Sequence, residues 1–328
     1  MTNPAGQQPE SAPTVVFDQL SKTFSGRVGL ARRAWLKRAV RDVSFTIDRS
    51  ESLALVGESG SGKSTLARML VGLEIPTSGR MLLQGRELSY RPKRAEREER
   101  ARVVQMVFQD PYTSLTPNQS VRAALEEMQS VYSQGCARQT RRDRVEQLLD
   151  AVGLGDREGD ARPRNLSGGQ RQRAAIARAL AADPVVLVLD EAVSALDVSI
   201  QAQILNLLAD LRRDLGLAYL FISHDLSVVR QVAERVVVLY RGRVVEYGPV
   251  TSILKEPGHP YAQRLLRSVP RPGVELKRRQ AVAVEGDTGC VFMERCSYAY
   301  EACAEEPGLF EVQPGHGVRC WLASARTT

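Results

Sequence analysis

One run of residues constrains this chain more than any other: Gly57-Glu58-Ser59-Gly60-Ser61-Gly62-Lys63-Ser64-Thr65, which fits G-x-x-x-x-G-K-[ST]. An apolar, strand-like stretch at residues 52–56 precedes it, and Leu66, Met69, Leu70 and Leu73 follow at helical spacing. A strand that feeds a helix through such a turn is a phosphate cradle. The glycines let backbone N–H groups point at phosphate oxygens, and the helix adds its positive N-terminal end. Lys63 reaches the β- and γ-phosphates, and the Ser64 hydroxyl is a ligand for Mg²⁺. A glycine-rich turn that binds nothing is the plainer alternative; the placement between strand and helix weighs against it.

The remainder of the chain alternates in the same way. Strands are expected at residues 15–17, 43–47, 185–189, 219–222 and 236–239, and helices at 141–152, 171–182 and 200–215. Residues 25–40 are basic and read as a loop, and residues 81–125 are mixed with a charged insert. The alternation argues for an α/β fold with a parallel sheet. No internal repeat is present, so one nucleotide-binding unit is expected rather than a fused pair. A Pro/Gly signal near residues 256–259 marks a boundary. The expected organisation is a disordered tail at 1–14, a nucleotide-binding domain at 15–257 and a C-terminal extension at 258–328.

The apolar run at 185–189 ends in Asp190-Glu191. A buried strand that ends in two carboxylates is costly unless a cation or a proton is near. Asp190 can hold Mg²⁺ through water, and Glu191 can polarise an attacking water. A loop that merely begins with acids is the alternative, but a second phosphate-site element is expected at about this distance downstream.

Charge narrows the partners. The net charge is +7 and the pI about 9.3, with arginines clustered at residues 91–102 and 138–144. Glu96, Glu98 and Glu99 interrupt the first cluster, which reads as a solvated helix face. No nucleic-acid motif accompanies either cluster, so nucleic acid is not expected as a partner. No apolar run approaches the roughly 20 residues needed to span a bilayer. The Pro/Gln/Ser-rich start does not resemble a signal peptide, so a cytoplasmic location is expected.

Four of the five cysteines, Cys290, Cys296, Cys303 and Cys320, fall near the C-terminal end, while Cys136 stands alone. In a reducing compartment clustered cysteines suggest metal rather than disulfides. Their gaps are wider than the Cys-x-x-Cys knuckles of structural zinc sites. A [4Fe–4S] cluster is the favoured reading, with zinc and a metal-free tail left open.

Leu166-Ser167-Gly168-Gly169-Gln170, followed by Arg171-Gln172-Arg173, resembles the signature motif of ATP-binding cassette proteins. As a second phosphate site it makes physical sense: Ser167 offers a hydroxyl, Gly168 and Gly169 expose backbone N–H groups, and a helix begins there. The resemblance covers residues 15–321 and implies a P-loop (RecA-like) core with an antiparallel β subdomain and a helical signature subdomain. It implies that Phe24 stacks on adenine and that Gln109 touches Mg²⁺ and water. It implies too that Asp197, in Ser194-Ala195-Leu196-Asp197, crosses a dimer interface, and that His224 contacts the γ-phosphate. Two such domains would sandwich two ATP molecules, with Lys63 of one facing Ser167 and Gly169 of the other.

Residues 108–115, 193–203 and 258–261, with Gly289-Cys290-Val291-Phe292, look like the di- and oligopeptide importer branch. The basic segment after Phe24 looks like the second of the two ATPases that such importers carry. Departures exist: Ala192 replaces a usual proline, Asn165 a usual acid and Thr116 a common asparagine. The resemblance implies a different cassette ATPase as partner, two membrane permeases and an extracytoplasmic binding protein, with this chain peripheral on the inner face of the membrane. Nickel or its chelates are the alternative cargo. An exporter ATPase, or a cassette protein acting on ribosomes or DNA, is the alternative of a different class.

Overall fold

The computed structural model of the chain describes residues 12–28, 33–133, 135, 137–267 and 289–324. Residues 1–11 of the expected tail, Cys136, and residues 268–288 and 325–328 of the expected C-terminal extension lie outside the described residues.

The chain opens with two long strands, β1 (Val15–Val28) and β2 (Arg33–Ile47), followed by β3 (Ser52–Val56). Next come β4 (Ser78–Leu83), β5 (Arg86–Glu87), β6 (Val104–Val107) and β7 (Val186–Asp190). The last strands are β8 (Ala218–Ser223), β9 (Arg235–Tyr240), β10 (Arg243–Pro249), β11 (Phe310–Gln313) and β12 (His316–Val318). They form a small antiparallel sheet, β2-β1-β4-β5, and a large one, β11-β12-β10-β9-β3-β8-β7-β6. In the large sheet β9, β3, β8, β7 and β6 run parallel, and β10, β12 and β11 extend it antiparallel.

The parallel strands are buried on both faces, which is why they read as unbroken apolar runs. Their alternate residues enter different cores. Leu53 and Leu55 of β3 pack with the helix Lys63–Val71 and the small sheet, through Leu66, Leu70, Phe17 and Val43. Ala54 and Val56 face the other way, towards Val229, Ile253 and Tyr261. Leu187 and Leu189 of β7 join a third core with Leu125, Val145, Leu148 and Ile176. Those last four come from the helices Val121–Tyr132, Arg138–Ala151 and Gly168–Leu180, a helical unit attached beside β6 and β7.

The loop expected at residues 25–40 is not there. Among the described residues this segment is an antiparallel ladder that pairs Phe24 with Lys37 and Gly26 with Trp35. The charged insert is a helix, Arg94–Val103, and its face is solvated as expected except at Arg100. That buried guanidinium donates to the carbonyls of Leu70 and Met69, at the end of the helix Lys63–Val71.

The C-terminal extension is not a free appendage. β12 pairs with β10, and Glu246 on β10 is fully buried beneath it. The Glu246 carboxylate accepts hydrogen bonds from the backbone N–H groups of Gly258 and His259, both at 2.8 Å, and lies 2.8 Å from His316 Nε2.

Candidate active site

β3, β7, β8 and the segment after β6 present their carboxyl ends to one cleft of about 550 Å³. Ligands of parallel α/β sheets bind at this edge. The cleft is lined by Phe24, Lys37, Ala39, Ser59, Gly60, Gly62, Lys63, Ser64, Thr65, Gln109, Glu191 and His224.

The turn from β3 into the helix Lys63–Val71 needs glycine for two different reasons. At Gly57 (φ 153°) a Cβ would lie 2.2 Å from the Leu239 carbonyl oxygen. At Gly60 (φ 79°) there is open space, and only the left-handed backbone excludes a side chain. Lys63 is buried and folds back, its Nζ donating to the carbonyls of Gly57 at 2.7 Å and Glu58 at 3.0 Å. Burial lowers its pKa, and the charges of Glu191, Asp190 and Glu58 pull in the opposite direction.

Asp190 is the last residue of β7 and accepts a 3.2 Å hydrogen bond from Ser64 Oγ. Burial raises the Asp190 pKa, with the Ser64 hydrogen bond opposing it. Two hard oxygens from different elements thus meet at one point, the donor chemistry that Mg²⁺ takes. Glu191, the next residue, has φ 49°, a left-handed backbone unusual for a side chain of its size. Its N–H donates to the Ile222 carbonyl on β8 at 3.0 Å, and Ser194 donates to its carbonyl through both N–H and Oγ. The strained turn brings Glu191 Oε1 to 3.4 Å from His224 Nδ1.

Phe24 lines the cleft from β1, with Lys22 Nζ 4.7 Å from its ring centroid. Gly57, Glu58 and Ser61 do not line it: Gly57 and Ser61 are buried, and the Glu58 carboxylate is held by Arg295. None of Ser167, Gly168, Gly169, Gln170 and Asp197 lines it either. Ser167 instead caps the helix Gly168–Leu180: its Oγ accepts from the Gln170 N–H, and Gln170 Oε1 accepts from the Ser167 N–H. Gly169 sits tight against the helix Val198–Leu215, where a Cβ would meet Ile200 at 2.6 Å. Asp197 is the N-cap residue of that helix.

Lys37 and Ala39 also line the cleft, from a strand where the sequence pattern predicts a loop. Trp35, Leu36, Ala39 and Val40 carry apolar signal in residues 25–40, masked by the five basic residues there, Arg27, Arg32, Arg33, Lys37 and Arg38.

The four C-terminal cysteines are free; the pKa values of Cys290, Cys296 and Cys320 are raised by burial and, to a smaller extent, by neighbouring thiols of the group, so they lie within electrostatic reach of each other. Burial is the larger cause, and it pushes Cys290 up to about 11. Among the described residues, however, no group of three or more His, Cys, Asp or Glu side chains is arranged to hold a metal ion. The thiol chemistry fits a cluster and the spacing does not, so the expected [4Fe–4S] or zinc centre at Cys290, Cys296, Cys303 and Cys320 is not supported by this geometry. No helix among the described residues is long and apolar enough to cross a membrane.

Residues 40–194 match the ABC transporter family, and residues 245–303 match the oligopeptide/dipeptide transporter C-terminal region. A putative peptide import ATP-binding protein of Brucella abortus is 48% identical over 290 residues, covering 87% of this chain and 86% of the relative. The dipeptide transport ATP-binding protein of Escherichia coli is 41% identical over 317 residues, 94% of each chain. An oligopeptide transport ATP-binding protein of Bacillus subtilis is 42% identical over 319 residues, 93% of this chain and 96% of the relative. Among solved structures, cbiO1 of Clostridium perfringens, described as part of an ABC transporter complex, superposes with a TM-score of 0.65 at 27% identity, covering 74% of this chain and 91% of that one. A dimeric cassette in a post-hydrolysis state, bound to ADP and Pi, gives 0.63 at 29% identity, covering 72% and 98%.

Proposed function

The chain belongs to the ABC transporter ATPases of the oligopeptide/dipeptide importer type, and from that membership we propose that its cleft hydrolyses ATP to energise peptide uptake through a membrane permease. The observation that carries the reading is the meeting, at one sheet edge, of the Lys63 ammonium, the Ser64–Asp190 oxygen pair and the facing Glu191 and His224.

The roles follow from the chemistry. Backbone N–H groups of the cleft-lining loop residues Ser59, Gly60, Gly62, Lys63, Ser64 and Thr65 cradle the β- and γ-phosphates, Lys63 neutralises them, and Phe24 offers a ring to adenine. Ser64, Asp190 and Gln109 would hold Mg²⁺, which when bound neutralises charge on the phosphate oxygens. Glu191 takes a proton from water as its oxygen attacks the γ-phosphorus. The bond to the bridging oxygen breaks, and ADP and phosphate leave. His224 donates to a γ-phosphate oxygen, and Gln109 orients the water.

Ser167, Gly168, Gly169 and Gln170 act on the ATP of a partner ATPase, and Asp197 lies along the shared interface. What supports this is that none of them lines its own cleft, that Ser167 to Gln170 form the capped N-terminus of a 13-residue helix, and that Asp197 heads the helix Val198–Leu215. The full assembly we propose is a second, different cassette ATPase, two permeases and an extracytoplasmic binding protein, with this chain peripheral on the cytoplasmic face of the inner membrane. Peptide is preferred to nickel chelates because the relatives named above are peptide transport proteins.

The test is ATP turnover by the purified membrane complex. Turnover stimulated by peptide and its binding protein, and abolished by Lys63→Ala, is expected. Turnover indifferent to Lys63→Ala overturns the site, and turnover indifferent to peptide overturns the cargo.

A further inference from the structure

Glu58, the second residue of the phosphate loop, is held from outside the nucleotide-binding fold. The Tyr261 hydroxyl accepts the Glu58 N–H at 2.7 Å. The Arg295 guanidinium grips the Glu58 carboxylate with two parallel hydrogen bonds, Nη1 to Oε2 at 2.6 Å and Nη2 to Oε1 at 2.9 Å. On its inner side, the Glu58 carbonyl accepts from Lys63 Nζ at 3.0 Å and from the Ser61 N–H at 3.1 Å. One residue therefore joins the lysine of the cleft to two side chains that follow the last parallel strand.

Those two side chains are themselves fixed. Tyr261 is fully buried, and its ring centroid lies 4.5 Å from that of Tyr240 and 5.5 Å from that of Phe292. Phe292 stands edge-on to Tyr240 at 5.1 Å, and it begins the short turn Met293–Arg295. Arg295 lies against Tyr240, with Nη1 3.4 Å from its hydroxyl. Next to it, Glu294 pairs with Arg241 at 2.9 Å. An exposed ion pair on flexible stems contributes little. This pair is bidentate, planar and carried by a packed turn, which is the geometry in which such a pair holds position. The ordinary Glu58 pKa is lowered chiefly by the Arg295 hydrogen bonds, in keeping with a carboxylate kept charged for this contact.

We propose that Arg295 and Tyr261 are positioning residues for the phosphate loop, so that the C-terminal extension sets how tightly the cleft binds ATP. The proposal rests on the ATPase reading above. By taking the Glu58 N–H and carboxylate, the extension fixes the outer side of the loop before nucleotide arrives, and the residues that line the cleft then need less ordering on binding. Arg295 stands between Cys290 and Cys296 in sequence, so any change that displaces this cysteine loop reaches the phosphate loop through one side chain.

The experiment is calorimetric titration of the full-length chain with ATP, beside steady-state turnover. Arg295→Gln and Tyr261→Phe each weaken ATP binding about threefold or more and raise KM, while kcat at saturation changes little. Arg295→Lys recovers part of the loss. In a double-mutant cycle, Arg295→Gln with Glu58→Gln binds no worse than the weaker single variant, because both remove one contact. Thermal melting of every variant is recorded, and the KM effect is expected without a matching loss of stability. Unchanged ATP affinity in Arg295→Gln and Tyr261→Phe, or strictly additive losses in the cycle, overturns the proposal and leaves the ATPase reading standing. A wild-type chain that binds no ATP overturns both.

Discussion

The carboxylate of Glu191 and the imidazole of His224 face each other at 3.4 Å across the gap between the ends of β7 and β8. A general base needs to be held within reach of its water, and here a left-handed backbone does the holding. Glu191→Gln keeps the shape and removes the base. It is expected to bind ATP normally and to turn over at least about tenfold more slowly, a loss of roughly 1.4 kcal/mol or more of barrier lowering. Single-turnover hydrolysis checks it; near-normal turnover would remove Glu191 from the role.

Gly57 and Gly60 separate two kinds of glycine requirement in one loop. Gly57→Ala would force a Cβ to 2.2 Å from a backbone oxygen of β9, whereas Gly60→Ala meets nothing within 4 Å. The first is expected to lose about 3 kcal/mol of stability or more, with ATP binding lost. The second carries only the left-handed penalty of about 1–2 kcal/mol. Urea denaturation of the pair reads the difference; equal losses would mean that the loop moves freely away from Leu239.

Glu246 is the buried hub on which the extension docks, and its three partners are two backbone N–H groups and one imidazole. Glu246→Leu leaves those donors unpaired inside the protein. A destabilisation on the order of 3 kcal/mol is expected, larger than for Glu246→Gln, which keeps an acceptor oxygen. Equal losses for the two variants would mean that volume, not hydrogen bonding, matters at this site.

His259 gives stability a pH dependence. It is 1% exposed, and burial pushes its pKa down to about 3. Nδ1 accepts the Tyr261 N–H at 3.0 Å, while Nε2 finds no partner among the described residues. Unfolding returns the pKa to roughly 6.5, so between these values the unfolded chain binds the extra proton. Stability from this group is full above about pH 6.5 and declines as pH falls toward 3, by about 1.4 kcal/mol per pH unit. From pH 7 to pH 5 the wild type should lose about 2 kcal/mol more than His259→Asn, measured by denaturant titration. Parallel pH profiles would mean that His259 takes up its proton alike in the folded and the unfolded chain, and would contradict this account.

The site was legible where chemistry is encoded in consecutive residues. The turn from Gly57 to Thr65, the Asp190-Glu191 pair and the Ser167-to-Gln170 cap each carry their own backbone requirement, and each stands on the element expected of it. Of the β1–β2 ladder, the ends at residues 15–17 and 43–47 were legible as strands, but the part within residues 25–40 was not, because its basic residues broke the strand pattern. The Glu58–Arg295 contact spans 237 positions, and nothing local to either residue announces the other. The four cysteines were legible as a group, but sequence spacing could not say how far apart their thiols stand.

The central claim is that this chain is the ATPase of a membrane importer, and co-purification tests it most directly. The tagged protein is drawn from its native membranes in mild detergent, and every accompanying chain is identified. Two multi-span permeases and a second cassette ATPase are the predicted result. Ribosomal or DNA-repair partners with no membrane subunit would contradict it.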